Sequence, residues 1–84
     1  MFDWDPAKSE ALKIERGLSF EELVECRLVG IVGHPSRGHQ KLILFERQGY
    51  IWVAPSVSAE DMVFLKTMFR SRKYTKKWRR GEIE

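Results

Sequence analysis

The first third of the chain has apolar residues spaced as on a helix. They recur at intervals of four, three and four positions, which places them along one helical face. Asp5 is suited to the N-cap, and Pro6 is suited to the first helical position, where its missing N–H group costs nothing. Gly17 is suited to the position that ends the helix. The predicted core face consists of Ala7, Ala11, Ile14 and Leu18.

A second helix is predicted to begin directly after the first. Ser19 and Glu22 have the spacing of a capping box, in which each side chain bonds the backbone N–H group of the other residue. Leu18 and Leu23 are placed to form a hydrophobic staple at the same end. The predicted core face of this helix consists of Phe20, Leu23, Val24 and Leu28.

The middle of the chain has the pattern of a sheet. The stretch LVGIV predicts a short strand, and GHPSRGHQ predicts an exposed loop. KLILFER and YIWVAPSV, joined by QG, predict a tight β-hairpin. Both hairpin strands are almost continuously apolar at their centres, which predicts that both of their faces are covered.

The last third of the chain adds a strand and a helix. SAED predicts a turn, MVFLKTMF predicts a further strand, and the chain is expected to be helical from Ser71 to near Gly81. The predicted fold is α+β, a single domain over residues 1–84 with two N-terminal helices, about four mainly antiparallel strands and a C-terminal basic helix. Helices packed on one face of this sheet would leave the other face available.

Length and composition limit the class of protein. A chain of 84 residues holds one small core, and an apolar share of 43% argues against disorder. Such a core is marginal, so a partner or a dimer is an expected source of stability. Cys26 has no second cysteine to pair with, and no apolar run has the length of a signal peptide or a membrane span. We therefore expect a soluble, cytoplasmic protein.

The net charge of +3 hides a steep asymmetry along the chain. Residues 1–25 contain seven acidic and three basic residues, a balance of −4, whereas residues 62–80 contain eight basic residues and no acidic one. This division predicts a phosphate-bearing or acidic partner for the C-terminal end, although a basic run can also be a solvated surface.

The basic run is predicted to be a helix with three distinct faces. Arg72, Lys76 and Arg79 would share one face, and Lys73, Lys77 and Arg80 the next. Arg70, Tyr74 and Trp78 would form the third. Cations suit phosphates, and aromatic rings either stack on bases or anchor the helix to the sheet. We predict binding for the cations and packing on the sheet for the aromatic rings.

Lys66 interrupts the apolar run of the last predicted strand, where it would share a strand face with Phe64 and Met68. A lysine at such a position either reaches solvent from an edge strand or points into a site. The sequence leaves both interpretations open.

Two stretches resemble a known family. FDWDPAK, followed by ERGLSFEEL, resembles the opening of BrnT-type toxins, F-x-W-D-x-x-K and then R/K-x-G-V-S-F-E-E. FLKTMFRSRKYTKKW is similar to the C-terminal segment of small BrnT-like toxins, whose better-known members carry the run S/A-R-R-A-T-R-R-E-R. The two segments lie in the expected order and cover about half of the chain.

The resemblance implies a RelE-like fold and a type II toxin that cleaves RNA without a metal and so inhibits translation. It also implies a cognate antitoxin, commonly with a ribbon-helix-helix DNA-binding part, which neutralises the toxin and through which an oligomer can form. Lys8 matches the N-terminal lysine of the family, and Lys41 stands roughly where the family has an arginine opening a strand. Arg72, Lys73 and Thr75 match the R-R-A-T run, and Trp78-Arg79 replaces the E-R pair.

Metal-free RNA cleavage sets requirements that the sequence meets in part. Attack of a 2′-hydroxyl on the adjacent phosphate needs a base, an acid for the leaving 5′-oxygen, and cations for the phosphorane. His34 and His39 are candidate acid–base groups, since imidazoles exchange protons near neutral pH. No close-spaced ligand pair supports a metal site with Cys26, and no cofactor is expected. The predicted catalytic residues are Lys66, Arg72, Lys73, His39 and Tyr74, and the predicted RNA-binding residues are Lys8, Lys41, Arg70, Lys76, Lys77 and Arg79.

Two other functions stay open from sequence. A nucleic-acid-binding module without catalysis would show salt-dependent binding of RNA or DNA and no strand scission. A protein-interaction domain would use the basic helix to dock an acidic partner, and would have no affinity for nucleic acid at any salt concentration.

Overall fold

The computed structural model describes residues 2–83 and has an α+β architecture, as predicted. In this part of the chain, a mixed sheet of six strands is combined with three helices. The helices are α1 (Pro6–Arg16), α2 (Phe20–Leu23) and α3 (Arg72–Arg79). The strands are β1 (Phe2–Asp3), β2 (Arg27–Gly33), β3 (Gln40–Arg47), β4 (Tyr50–Ala59), β5 (Met62–Leu65) and β6 (Phe69–Arg70).

The sheet has the strand order β1-β5-β4-β3-β2, and β6 pairs with a second section of β4. β1 runs parallel to β5, and the other pairs are antiparallel. The expectation of about four strands was therefore too low, because the two-residue strands β1 and β6 are too short to show an alternating pattern. Tertiary packing fixes β1 instead, since Phe2 contacts Phe45 edge-to-face with 5.8 Å between ring centroids.

The prediction of one strand over MVFLKTMF was wrong, because residues 66–68 separate β5 from β6. The interruption lies opposite Pro55, whose carbonyl oxygen accepts a hydrogen bond from the Lys66 N–H at 2.8 Å. In an antiparallel ladder a residue donates and accepts on the same side, and proline has no N–H to donate. The ladder therefore loses one bond at Pro55, and the chain leaves regular pairing there.

Helix α1 has the predicted ends but not the predicted core face. Asp5 accepts from the Ala7 N–H, and Gly17, at φ +80°, ends the helix. Ile14 is 85% exposed, whereas Leu12 is buried together with Ser9. The Ser9 hydroxyl is satisfied there, because it accepts from the Phe20 N–H at 2.8 Å and donates to a Glu21 carboxylate. Of the predicted core face, Ala7 and Ile14 are exposed, Ala11 is half-buried and Leu18 is buried.

Helix α2 is a single turn with the predicted capping box. The Ser19 hydroxyl accepts from the Glu22 N–H at 3.1 Å, and the Glu22 carboxylate accepts from the Ser19 N–H at 2.9 Å. The bond from the Ser19 N–H, followed by the bond from the Lys13 ammonium, lowers the pKa of the Glu22 carboxyl to about 2. The prediction of Leu28 as a core residue of this helix was wrong, since Leu28 lies in β2 and is 48% exposed.

Helices cover both faces of the sheet, which corrects the expectation of helices on one face. The α1 face is the side from which Ile43, Phe45, Trp52 and Ala54 pack with α1 and α2. The α3 face is the opposite side, where Leu42, Leu44, Ile51 and Val53 pack with Tyr74 and Trp78 of α3. The predicted structural role of these two aromatic rings is confirmed.

The predicted hairpin is confirmed between β3 and β4, which pair from Gln40 opposite Val57 to Arg47 opposite Tyr50. The turn residues Gln48 and Gly49 have φ values of 55° and 80°, as in the two-residue turns that match the twist of the strands. The register places residues 43, 45 and 47 on the α1 face and residues 42, 44 and 46 on the α3 face.

Thr75 attaches α3 to β4. Its side chain is 2% exposed, accepts from the Ile51 N–H at 2.9 Å and donates to the Ser71 carbonyl oxygen at 2.6 Å. The threonine that matches the family's R-R-A-T run therefore has a structural contact in this chain.

Replacing Thr75 by valine is expected to lower the free energy of unfolding by about 1–3 kcal/mol, because it leaves the buried Ile51 N–H without a partner. Thr75→Ser is the matched control, since it keeps the hydroxyl and removes only a methyl group. Urea unfolding followed by circular dichroism measures both. Equal stability of the valine variant and the original protein would show that the bond to Ile51 contributes nothing.

Candidate nucleic-acid interface

The outer surface of α3 is an array of cations. Ser71 caps the helix by accepting from the Tyr74 N–H at 3.0 Å, which fixes its first turn. Within residues 2–83, Lys13 and Glu22 form the one ion pair, so no carboxylate of that range pairs with α3. The exposed cations of the helix and its C-cap are Arg72, Lys73, Lys76, Arg79 and Arg80, and Lys77 is half-buried.

Three of the predicted α3 cations have additional contacts inside the protein. The ammonium groups of Lys73 and Lys77 lie 5.5 and 5.8 Å from the centroid of the Tyr74 ring. Arg79 donates to the Gly49 carbonyl oxygen at 3.0 Å, and so ties the end of α3 to the hairpin turn. Tyr74 therefore serves as a packing surface for both the sheet and the lysines.

Lys66 lies in the irregular connection between β5 and β6 and is exposed. Its expected neighbours on one strand face are separated, since Met68 is fully buried in the core of the α1 face and Phe64 is half-buried. Lys66 is exposed and also lines a pocket, so both interpretations left open by the sequence are compatible with its position.

We call this the His34–Lys66 pocket, a cavity of about 320 Å³. Strand alternation explains the position of the pocket, because side chains two residues apart on a strand point to the same face. Val32 and Val53 lie on the α3 face, and so do His34 and Pro55, each two residues further along the chain. The His34 N–H continues the β2–β3 ladder by donating to the Gln40 carbonyl oxygen at 3.2 Å. The lining residues are His34, Ser36, Arg37, Gln40, Pro55, Lys66 and Thr67.

The loop after β2 fixes the His34 imidazole. Its Nδ1 atom accepts from the backbone N–H groups of Ser36 and Arg37 at 3.1 and 3.2 Å. Since Nδ1 is occupied as an acceptor, the neutral ring carries its proton on Nε2 and is a hydrogen-bond donor there. The pocket thus combines one imidazole N–H donor with the cations of Lys66 and Arg37.

The histidine in this pocket is His34, whereas the predicted catalytic histidine was His39. His39 is exposed in the same loop and does not line the pocket. The alternation of β2 distinguishes the two, since Val32 and His34 point to the same side and His39 follows the turn. The two-residue spacing of Val32 and His34 is visible in the sequence. It points to His34 only once it is known which face of β2 carries Val32.

The predicted RNA-binding residues divide between the two sides of the sheet. Lys8 is exposed on α1, and Lys41 is exposed on the α1 face by alternation with Ile43. Arg70 lies opposite Trp52 on the same face. The cations of α3 and the His34–Lys66 pocket belong to the other side, so the predicted set does not form one continuous site.

Cys26 is half-buried and free, and burial raises the pKa of its thiol. Within residues 2–83, no group of three His, Cys, Asp or Glu side chains is placed to hold a metal ion. Nor does any helix of that range have the length and apolar character to cross a membrane.

Comparisons with protein families, with curated proteins and with solved structures find no match to this chain. The likeness to BrnT-type toxins therefore depends on the two sequence segments alone. Beyond these two segments, a function can be inferred only from the cations of α3 and the side chains that line the His34–Lys66 pocket.

Proposed function

We propose that the protein is the toxin of a type II toxin–antitoxin system, a RelE-like endoribonuclease that cleaves RNA without a metal and thereby inhibits translation. The observation that supports this most is the His34–Lys66 pocket, where a fixed donor lies with two cations on the α3 face. The basic surface of α3 would hold the phosphates on either side of the cleaved bond.

The chemistry follows from what each group can donate. The 2′-hydroxyl attacks the adjacent phosphorus, its proton passes to water, and the bond from phosphorus to the 5′-oxygen breaks. Lys66 donates a proton from its ammonium group to the departing 5′-oxygen. Nε2–H of His34 and the guanidinium of Arg37 hydrogen-bond the phosphorane oxygens, on which negative charge accumulates. The products are a 2′,3′-cyclic phosphate and a 5′-hydroxyl.

This mechanism gives histidine a different task from the one expected from sequence. An imidazole whose Nδ1 already accepts two backbone N–H groups has no free acceptor there for a proton. His34 is therefore assigned as a hydrogen-bond donor, and the proton is transferred by Lys66.

The neutralising partner would be an antitoxin with an acidic segment. The α3 cations have no carboxylate partner within residues 2–83, so such a segment would gain ion pairs that this range does not supply. By covering α3 it would compete with RNA for the same charges. The resemblance adds that antitoxins of this family commonly carry a ribbon-helix-helix DNA-binding part.

Induced expression in a bacterial host tests the proposal. We expect growth arrest and loss of intact messenger RNA with the original protein, and neither with Lys66→Ala/Lys73→Ala. Lys8→Ala/Lys41→Ala is the matched control, because it removes the same two charges from the α1 side of the sheet. Normal growth and intact RNA with soluble original protein, or equal relief by both double variants, would contradict the proposal.

A further inference from the structure

A second cationic pocket lies on the α1 face, on the opposite side of the sheet from the His34–Lys66 pocket. Its volume is about 260 Å³, and its residues come from the end of α1, the β3–β4 hairpin and β6. We call it the arginine pocket, defined by Arg16, Arg47, Gln48, Tyr50, Trp52 and Arg70.

The strand register brings these side chains together. Arg47 pairs with Tyr50 across the hairpin, and Arg70 pairs with Trp52 across the β4–β6 ladder. Residues 47, 50, 52 and 70 therefore share the α1 face, at the end of the sheet that α1 leaves open. Arg16 completes the group from the last turn of α1.

Two of the three guanidinium groups are held in place by the protein. Arg16 donates to the carbonyl oxygen of Met68, which lies in the chain just before β6. Arg70 lies over the Tyr50 ring, with its guanidinium carbon 4.3 Å from the ring centroid. Arginines fixed in this way lose little side-chain entropy when they bind a ligand.

Among residues 2–83, no carboxylate lines the arginine pocket. Two acids of the neighbouring elements have other partners, because Glu22 bonds Lys13 and the Ser19 N–H, and Glu46 accepts from the Gly49 N–H. Three arginines thus line one cavity, and none of them forms an ion pair within residues 2–83, an arrangement that favours the binding of an anion.

We propose that the arginine pocket binds a phosphate monoester, either on a free nucleotide or at the 5′ end of an RNA chain. This site is separate from the proposed cleavage site and does not depend on it. A monoester carries a charge of about −1.5 to −2 and three terminal oxygens at neutral pH. Three arginines from three elements can each bond one of these oxygens, or two together.

Other anions fit the pocket less well. An internal phosphodiester has one negative charge and two non-bridging oxygens, and a carboxylate has two oxygens in one plane, so either leaves guanidinium donors unused. Base stacking is not offered either, since Trp52 is 5% exposed and one face of Tyr50 is covered by Arg70. Recognition would therefore depend on the terminal phosphate and not on the base.

The test compares two short RNAs of the same sequence, one with a 5′-phosphate and one with a 5′-hydroxyl, both with 2′-O-methyl groups to prevent cleavage. We expect the full-length protein to bind the phosphorylated strand about tenfold or more tightly, as charge-assisted bonds to one group allow. Arg47→Gln should remove this preference. Arg72→Gln on α3, on the opposite side of the sheet, is the matched control, and the protein should still prefer the phosphorylated strand.

Further binding measurements distinguish a free nucleotide from an RNA end as the source of the phosphate. Saturable binding of adenosine monophosphate, lost in Arg47→Gln, would assign the pocket to free nucleotides, and binding of the phosphorylated strand alone would assign it to RNA ends. If Arg47→Gln does not fold, Arg47→Lys takes its place. This variant keeps the charge, and we expect it to retain part of the preference for the phosphorylated strand. Equal binding of the two strands by the original protein would overturn the proposal. Displacement of the phosphorylated strand by an acidic peptide, at the same concentration at which the nucleotide displaces it, would also overturn the proposal.

Discussion

We expect Lys66→Ala to lower the rate of RNA cleavage by about 10²- to 10⁴-fold, the usual effect of removing a general acid. The lysine is exposed, and only its backbone N–H is bonded to a neighbouring strand, at Pro55. Truncating the side chain should therefore leave the fold unchanged. The measurement is the single-turnover cleavage rate of a labelled RNA, beside the thermal unfolding curve of each variant.

Lys66→Arg separates proton transfer from charge. Arginine keeps the positive charge and the ability to hold phosphate, but it does not give up a proton in proteins. We expect this variant to bind RNA as the original protein does and to cleave nearly as slowly as Lys66→Ala. Full activity of Lys66→Arg would show that the residue supplies charge alone and that another group is the acid.

Phe20→Ala is expected to lower the free energy of unfolding by about 3–5 kcal/mol, a large part of the stability of a domain of this size. Phe20 is fully buried at the start of α2, and its ring lies against Trp4 with 5.9 Å between centroids. Chemical denaturation followed by circular dichroism gives the value.

Phe69→Ala is the matched control for Phe20, because Phe69 is 41% exposed in the short strand β6. The same atoms are removed from a site that is partly solvated, so we expect a loss of about 1 kcal/mol. Similar losses at the two positions would contradict the placement of Phe20 in the packed cluster of the α1 face. A small loss at Phe20 would mean that α1 and α2 contribute little to folding.

Local signals in the sequence predicted the ends of the elements well. Asp5, Gly17 and the Ser19–Glu22 capping box act over one or two turns, and their geometry is set by neighbouring backbone groups. The QG turn is equally local, since both residues adopt positive φ. Such features are determined before any tertiary contact is known.

Faces and strand boundaries were harder to predict, because they depend on partners distant in sequence. Ser9 is buried because residues of the α2 region, Phe20 and Glu21, satisfy its hydroxyl, while the apolar Ile14 is left in solvent. The strand around Lys66 is divided because Pro55 cannot donate to the ladder. Neither fact is visible in the periodicity of the segment concerned.

The candidate site shows the same division. The cations of α3 were evident from the charge run. The placement of Lys66 and His34 in one pocket, however, depends on the registers of the β2–β3, β3–β4 and β4–β5 ladders together. The arginine pocket was missed except for Arg70, because its residues are separated by up to 54 positions and converge through two ladders. Arg16 and Arg47 have no sequence motif of their own.

The most direct test of the central claim is to incubate the purified protein with a defined RNA in the presence of a metal chelator, and to identify the new ends by mass spectrometry. The proposed mechanism predicts fragments ending in a 2′,3′-cyclic phosphate, with matching 5′-hydroxyl ends, from the original protein and far fewer from Lys66→Ala. RNA that stays intact while binding in a salt-dependent way would contradict the claim, and would identify the protein as a nucleic-acid-binding module.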